Sequence, residues 1–405
     1  MSATGLEADP GFDNFDYSVA GDVRDPYPEF ATRREQTPVF KEEAYFEGAP
    51  PSFLVYRHAD VTKVLRDNET FSSSVMRDVM GEVMGQKIIL AMDEPEHHRH
   101  RALVSAAFRQ KTLARWEERL VKQVVDELID SFIDRGRADL VTEFTFPFPT
   151  KVIAGVLGLP TDDYREFQRW AVGIITANSN WDRGVRCSYE LQQYLAGVME
   201  QRRRETREDL ITDLVNAEFD GEQLDEEEMF SFLRLLLPAG VETTFRSSGN
   251  LLLLLMTHPD QLDAVKRDRA LIPQAIEEAL RYEPPLLITA RGAAKDTELA
   301  GVSIPAGSTV TPILGSANRD PAAYTDPEMF NIWRDPKPHV SFGTGPHMCL
   351  GMHLARMETR VAVNALFDRL PNLRLDREAA DRLDAHIHGQ IFRSPTVLPV
   401  VWDTP

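Results

Sequence analysis

The chain has 405 residues, 42% hydrophobic and 27% charged, the balance of a soluble globular protein rather than a disordered one. Its 64 acidic against 45 basic residues give a formal charge of −19, which opposes general attraction to nucleic acid or anionic lipid. Two cysteines, Cys187 and Cys349, are too few for a disulfide framework and suit a reducing compartment.

The N-terminal stretch MSATGLEADPGFDNFDYSVAGD has neither a basic n-region nor an apolar h-region, so no targeting signal is read and a cytoplasmic protein is expected. SFLVY at 52–56 reads as a strand. DEPEHHRHRALVSAAF at 93–108 reads as a helix opened by Pro95, with His97 and Arg101 four apart on one face. His97, His98 and His100 raise the question of zinc, yet adjacent histidines diverge on a helix and no CxxC or HExxH motif accompanies them. Leu120, Val121, Val124, Val125, Leu128, Ile129, Phe132 and Ile133 form an apolar stripe that Gly136 stops.

A long helix is sharply marked. Asp225 and Glu228 make a capping box, Leu224 and Met229 a hydrophobic staple, and the pattern runs to about Thr257. Its LLLLLM segment at 251–256 reads as buried core, since no apolar run approaches the roughly 18 residues of a membrane span. Its middle, LLLPAGVETTF, is unusual. Pro238 removes a backbone donor, and Gly240, Glu242, Thr243 and Thr244 set weak or polar helix formers at one depth. EEALR at 277–281 places Glu278 and Arg281 three apart, which alone would be a surface ion pair of ~0.5 kcal/mol. VSIPAGSTVTPIL at 302–314 and TVLPVVW at 396–402 read as strands.

Between those strands, HVSFGTGPHMCLGMHLARME runs from a glycine loop into a helix whose stripe is Leu350, Leu354, Met357 and Val361. Cys349 sits at the junction, where unsatisfied amides favour negative charge. It is a candidate thiolate, as nucleophile or as metal ligand, with an inert buried thiol the plainer alternative. Gly351 lets a bulky group approach the helix.

The register of Phe342, Gly343, Gly345, His347, Cys349 and Gly351 resembles the haem-binding loop of the cytochrome P-450 family. Three further stretches, around His97, Gly240 and Glu278, look like that family's other motifs and follow in its order. Length alone would suggest two domains. The resemblance implies instead a single P-450 domain over 1–405, mainly α with a smaller β-rich region. Its helices form a triangular prism, with haem between the long central helix and the Cys-loop helix.

The same resemblance assigns roles. Cys349 would ligate the iron of heme b (protoporphyrin IX iron), with Phe342, Gly343, Gly351, Ala239 and Gly240 around the ring. His97, Arg101, Arg291 and His347 would bind its two carboxylates. Glu278, Arg281 and Arg334 would form a structural triad. Glu242 and Thr243 would relay protons, with the Thr243 hydroxyl turned to the carbonyl four residues back and a small residue at 239 or 240 leaving room for dioxygen. Pro238 departs from the apolar residue commoner there. Substrate contacts would come from Leu235, Ala239, Thr243, Leu287, Ile288, Ile391 and Phe392, with stretches 78–90 and 165–195.

The implied reaction is insertion of one oxygen atom from O2 into a hydrophobic small molecule, C–H hydroxylation foremost. The chain has no G-x-G-x-x-G fingerprint or flavin domain, so electrons would come from a separate ferredoxin or flavodoxin plus reductase, and NAD(P)H would act only indirectly. His98, Arg99, Arg109 and Arg356 are candidates for a basic docking patch on a monomer that binds neither nucleic acid nor membrane. The competing readings are a thiolate-haem peroxygenase or isomerase without an electron partner, a ligand carrier, and a zinc hydrolase.

Overall fold

The capping box that the sequence predicts forms at Asp225. Its Oδ1 accepts from Glu228 N at 2.8 Å, and Glu228 Oε2 accepts from Asp225 N at 2.8 Å. In the computed structural model, which describes residues 21–42, 50–105, 108, 110–178 and 180–404, this cap opens a 32-residue helix, Glu226–Thr257. Leu224 and Met229 are both buried, as a staple requires. At ~1.5 Å per residue the helix crosses most of the molecule.

This central helix is buried around most of its circumference, so other helices must wrap it. Pro147–Val156, Tyr164–Ile175, Trp181–Arg204, Ile272–Tyr282 and Met352–Arg369 all pack against it. The helix continues through Pro238, which costs the Arg234 carbonyl its helical donor. The apolar stripe at 120–133 is less regular than its periodicity predicts. It opens with a widened turn at Glu117–Val121, is α-helical over Lys122–Asp130, and closes at Gly136 in the left-handed region (φ 68°).

The β material is small and to one side. Strands β1 (Val39–Lys41), β2 (Ser52–Val55), β3 (Phe71–Ser72), β4 (Arg291–Ala293) and β5 (Thr309–Pro312) form one sheet in the order β1-β2-β5-β4-β3. Only β2 and β5 run parallel. The run at 302–314 that reads as one strand is two. Val302–Ile304 pairs with Thr297–Leu299, and a turn through Gly307 (φ 80°) sends the chain into β5. Pro399–Val401 lies between Arg374–Leu375 and Arg137–Asp139, antiparallel to both. One buried apolar cluster threads the helical body and a smaller one lies under the five-stranded sheet. The fold is thus mainly helical with small sheets, as the sequence predicts.

Asp225→Ala removes the cap acceptor that starts the central helix. It is expected to lower unfolding free energy by about 1 kcal/mol, read as a reduced urea midpoint at unchanged slope. Asp225→Asn, which keeps the acceptor, should restore most of the loss.

Candidate functional site

The loop before Met352–Arg369 is shaped by two left-handed glycines, Gly343 (φ 67°) and Gly345 (φ 77°). A Cβ at Gly345 would stand 2.7 Å from the Leu65 carbonyl oxygen, so no side chain fits there. Cys349 N donates to Phe342 O at 2.8 Å and closes the loop. The sulfur accepts from the backbone amides of Gly351 and Met352, the first free donors of the following helix. Burial pushes the Cys349 thiol up, while those amides and the nearby Arg101 and Arg356 favour the thiolate. Its exposed surface therefore opens onto a desolvated internal space. At Gly351 a Cβ would meet nothing within 4 Å, so the backbone beside the sulfur has open space in front of it.

The opposing wall belongs to the central helix. Ala239 is exposed, and Thr243 and Ser247 are half-buried, in a helix otherwise almost wholly covered. Their spacing of four puts all three on one face. Thr243 Oγ1 donates to Ala239 O at 2.9 Å, the bond expected from the sequence. Of the two small residues, Ala239 is the open one, because a Cβ at Gly240 would lie 3.6 Å from the Ile153 side chain. A cavity of about 370 Å³ is lined by Thr243, Ser247 and Leu251 of this helix, Phe342 of the loop, and Ala355 and Thr359 of the helix after it. The slot lies between the two helices that the sequence expects to flank a haem.

The polar residues expected at a haem's carboxylates converge. His97 is 2% exposed, its Nδ1 lies 3.3 Å from Glu94 Oε1, and its ring centroid is 4.1 Å from that of His347. The Nε2 atoms of both rings are buried without a hydrogen-bond partner. Burial first, then the nearby His97, Arg291 and Arg101, push His347 down to about 3, so its ring is neutral. Arg101 Nη2 donates to Met348 O at 2.6 Å, and burial lowers Arg101. Arg291 Nη1 donates to Ala290 O at 2.7 Å, and burial lowers Arg291 to about 10. Two desolvated guanidinium groups and two unused ring nitrogens suit a pair of carboxylates. The donor set fits a haem ligated by Cys349.

Glu278 is buried in a ring of donors. Arg281 reaches both its oxygens at 2.8 Å, Arg334 Nε at 3.1 and 3.2 Å, and Asn331 N at 2.9 Å. Arg281 also donates to the carbonyls of Asn318, Pro327 and Met329, fixing the chain on either side. This is no surface pair. Losing one member would leave buried charge uncompensated, at about 3–5 kcal/mol.

Several expectations need correction. Leu287, predicted to line the substrate space, is 0% exposed, and a Cβ at Gly315 would stand 2.4 Å from its Cδ2. Its side chain packs against Gly315. Leu235 is also buried, Ile288 and Phe392 are half-buried, and Ile391 is exposed. The basic patch loses two members, because Arg99 bonds to Glu222 and Glu228, and Arg356 holds Glu277 through two bonds of 2.7 Å. Arg109 lies outside the described residues. His98 stands beside Phe219 and His100 beside Phe232, so the three histidines do not converge on a metal. Glu242, 2% exposed, is turned to Arg246, whose Nε donates to Glu242 Oε1 at 2.5 Å.

The sequence profile of the cytochrome P-450 family matches residues 159–371. The chain is 38% identical over 357 residues to the erythromycin C-12 hydroxylase of Saccharopolyspora erythraea, covering 86% of this chain and 87% of that one. It is similar in structure to the P-450 of the Bacillus subtilis bacillaene polyketide synthase, with a TM-score of 0.86 and 33% identity over 94% of this chain and 97% of that one. A P-450 solved with an acyl carrier protein ligated to hexadec-9Z-enoic acid gives a TM-score of 0.84 at 31% identity, over 94% and 99%. The chain belongs to the cytochrome P-450 family. It is a monooxygenase of the bacterial type, and the family implies a haem cofactor.

Two residues near the site were missed from the sequence. Arg246 was legible in its spacing of four from Glu242. Glu358 was legible as an acid on the apolar stripe of Leu354, Met357 and Val361. It is 3% exposed, and burial pushes its carboxyl well above the ordinary 4.5. The folded protein keeps that proton where the unfolded chain releases it. Its contribution is fully present below the ordinary carboxylate value and is lost as pH rises through the raised one. Glu358→Gln, which mimics the neutral acid, should gain stability relative to wild type with rising pH, by up to about 1.4 kcal/mol per unit. Urea unfolding of the haem-loaded proteins at several pH values checks this, and a difference that does not vary with pH would refute it.

Proposed function

We propose that the protein is a haem-thiolate monooxygenase that inserts one oxygen atom into a hydrophobic small molecule, foremost at a C–H bond. The observation that carries this reading is a cysteine sulfur held by two helix-start amides beside an internal slot. The slot's other wall presents the back-bonded Thr243 and, one turn on, Ser247. When bound, a thiolate-ligated haem supplies oxygen activation, because the sulfur pushes electron density that favours O–O cleavage.

The chain's own residues then have defined tasks. Cys349 would hold the iron, while His97, Arg101, Arg291 and His347 would take the carboxylates. Ala239, exposed on the central helix, would leave space for dioxygen. The Thr243 hydroxyl, its proton directed to Ala239 O, keeps lone pairs to hold a water, and Glu242, ion-paired to Arg246 on the adjoining flank, would move protons toward it on turning from that pair. Half-buried Phe392 and Ile288 contribute apolar surface for the substrate, consistent with a relative named for hydroxylating erythromycin and another solved with a fatty-acyl carrier. Electrons come from a separate ferredoxin or flavodoxin and its reductase, with NAD(P)H upstream. The chain works as one haem unit, and its setting is the cytoplasm. No described helix is long and apolar enough to cross a membrane.

The optical spectrum of the reduced protein under carbon monoxide tests the ligand. Wild type should show the thiolate-type Soret shift, Cys349→Ala should lose it, and a shift that survives would sink the assignment. Thr243→Ala should keep that spectrum while most reducing equivalents appear as peroxide rather than product. Normal coupling in this variant would remove Thr243 from the relay.

A further inference from the structure

Beside the Ala239, Thr243 and Ser247 face, the central helix has a second flank, formed by Glu242, Arg246, Gly249 and Asn250. This flank packs on one turn near the C-terminus. Arg246, 1% exposed, stands at the junction. Its Nε donates to Glu242 Oε1 at 2.5 Å, its Nη1 donates to Ser394 Oγ at 2.8 Å, and its guanidinium carbon lies 5.7 Å from the Phe392 ring centroid. Below it, Asn250 Nδ2 donates to Arg393 O and to Glu283 O at 3.0 Å, and a Cβ at Gly249 would lie 3.6 Å from Pro395. The turn is closed by His388 and Ser394, whose amides and carbonyls pair at 3.2 and 3.3 Å. Arg393 pins its base, donating to Glu283 Oε2 at 3.0 Å and to Gly389 O at 2.7 Å. What the turn leaves uncovered is its tip, Gln390 and Ile391, with Phe392 half-buried beside them.

We propose that Arg246 is a positioning residue that joins the turn carrying Phe392 to the carboxylate of Glu242, so that a hydrophobic molecule seated against Phe392 sets where that carboxylate stands. A guanidinium is a rigid planar fork, so an edge held by Ser394 and an edge held by Glu242 move together. Separating a buried carboxylate from its cation is costly, so the acid follows the arginine rather than staying behind. Seating of the molecule and delivery of the proton are thereby tied through one side chain.

The coupling stands on these contacts alone, whereas its catalytic consequence rests on the reading of Glu242 as the relay acid. Hydrogen exchange followed by mass spectrometry on the haem-loaded protein tests the coupling. Ser394→Ala and Glu242→Gln should each speed exchange of the 386–396 segment about tenfold, and the double variant should be no faster than either alone. The segment around Glu278 and Arg281 should not change, and Arg246→Lys, which keeps the charge and loses the fork, should behave like Ser394→Ala. Effects that multiply in the double variant, or an undisturbed 386–396 segment, would overturn the proposal. Peroxide released per NAD(P)H with a surrogate ferredoxin and reductase tests the consequence. It should rise in Ser394→Ala at an unchanged carbon monoxide spectrum. Coupled exchange without extra peroxide would overturn the catalytic role of Glu242 and leave the mechanical link intact.

Discussion

Burial raises the Cys349 thiol, and what works against burial is the set of fixed positive ends at the start of the Met352–Arg369 helix. The amides of Gly351 and Met352 are free because no residue precedes them in the helix, so they need no side chain and no reorganisation to meet the sulfur. Everything else at the site is arranged around that junction. Gly345 presses the loop against the Leu65 carbonyl, Phe342 takes the Cys349 amide, and Arg101 reaches across to Met348 O. Move the helix start by one residue and the sulfur loses its donors.

The surrounding charges show how context decides the worth of an ion pair. Glu278 and Arg281 have the spacing of a trivial helical pair, yet burial and the added Arg334 and Asn331 make them a fastening for the backbone at Asn318 and from Pro327 to Asn331. Glu242 and Arg246, four apart, have an equally ordinary helical spacing, but their flank of the central helix meets a turn rather than solvent. In both cases the local pattern is the same as on countless surfaces, and only the third partner changes its meaning.

This also explains what was legible beforehand. The central helix could be read from Asp225 to Thr257 because capping and periodicity are local properties, and the Cys349 loop because its glycines and cysteine are fixed by backbone geometry. The split of 302–314 into two strands depends on which partner each half finds, which a single run of residues does not state. Leu287 is apolar and near the right motif, but its close packing over Gly315, where a Cβ would stand 2.4 Å from its Cδ2, is a tertiary contact that no local pattern states. Arg99 and Arg356 looked available because their carboxylates, Glu222, Glu228 and Glu277, lie far away in sequence. Thr243 was predictable in detail, since its hydroxyl bonds within its own helix.

One arrangement bears on how such a protein can change over evolutionary time. The central helix shows the cavity Thr243, Ser247 and Leu251, while nearly all its remaining residues are locked against neighbours. Variation in the shape offered to a guest is therefore confined to a few positions spaced one turn apart, separate from those on which folding depends. Selection can alter the cavity without reopening the problem of how the helix packs.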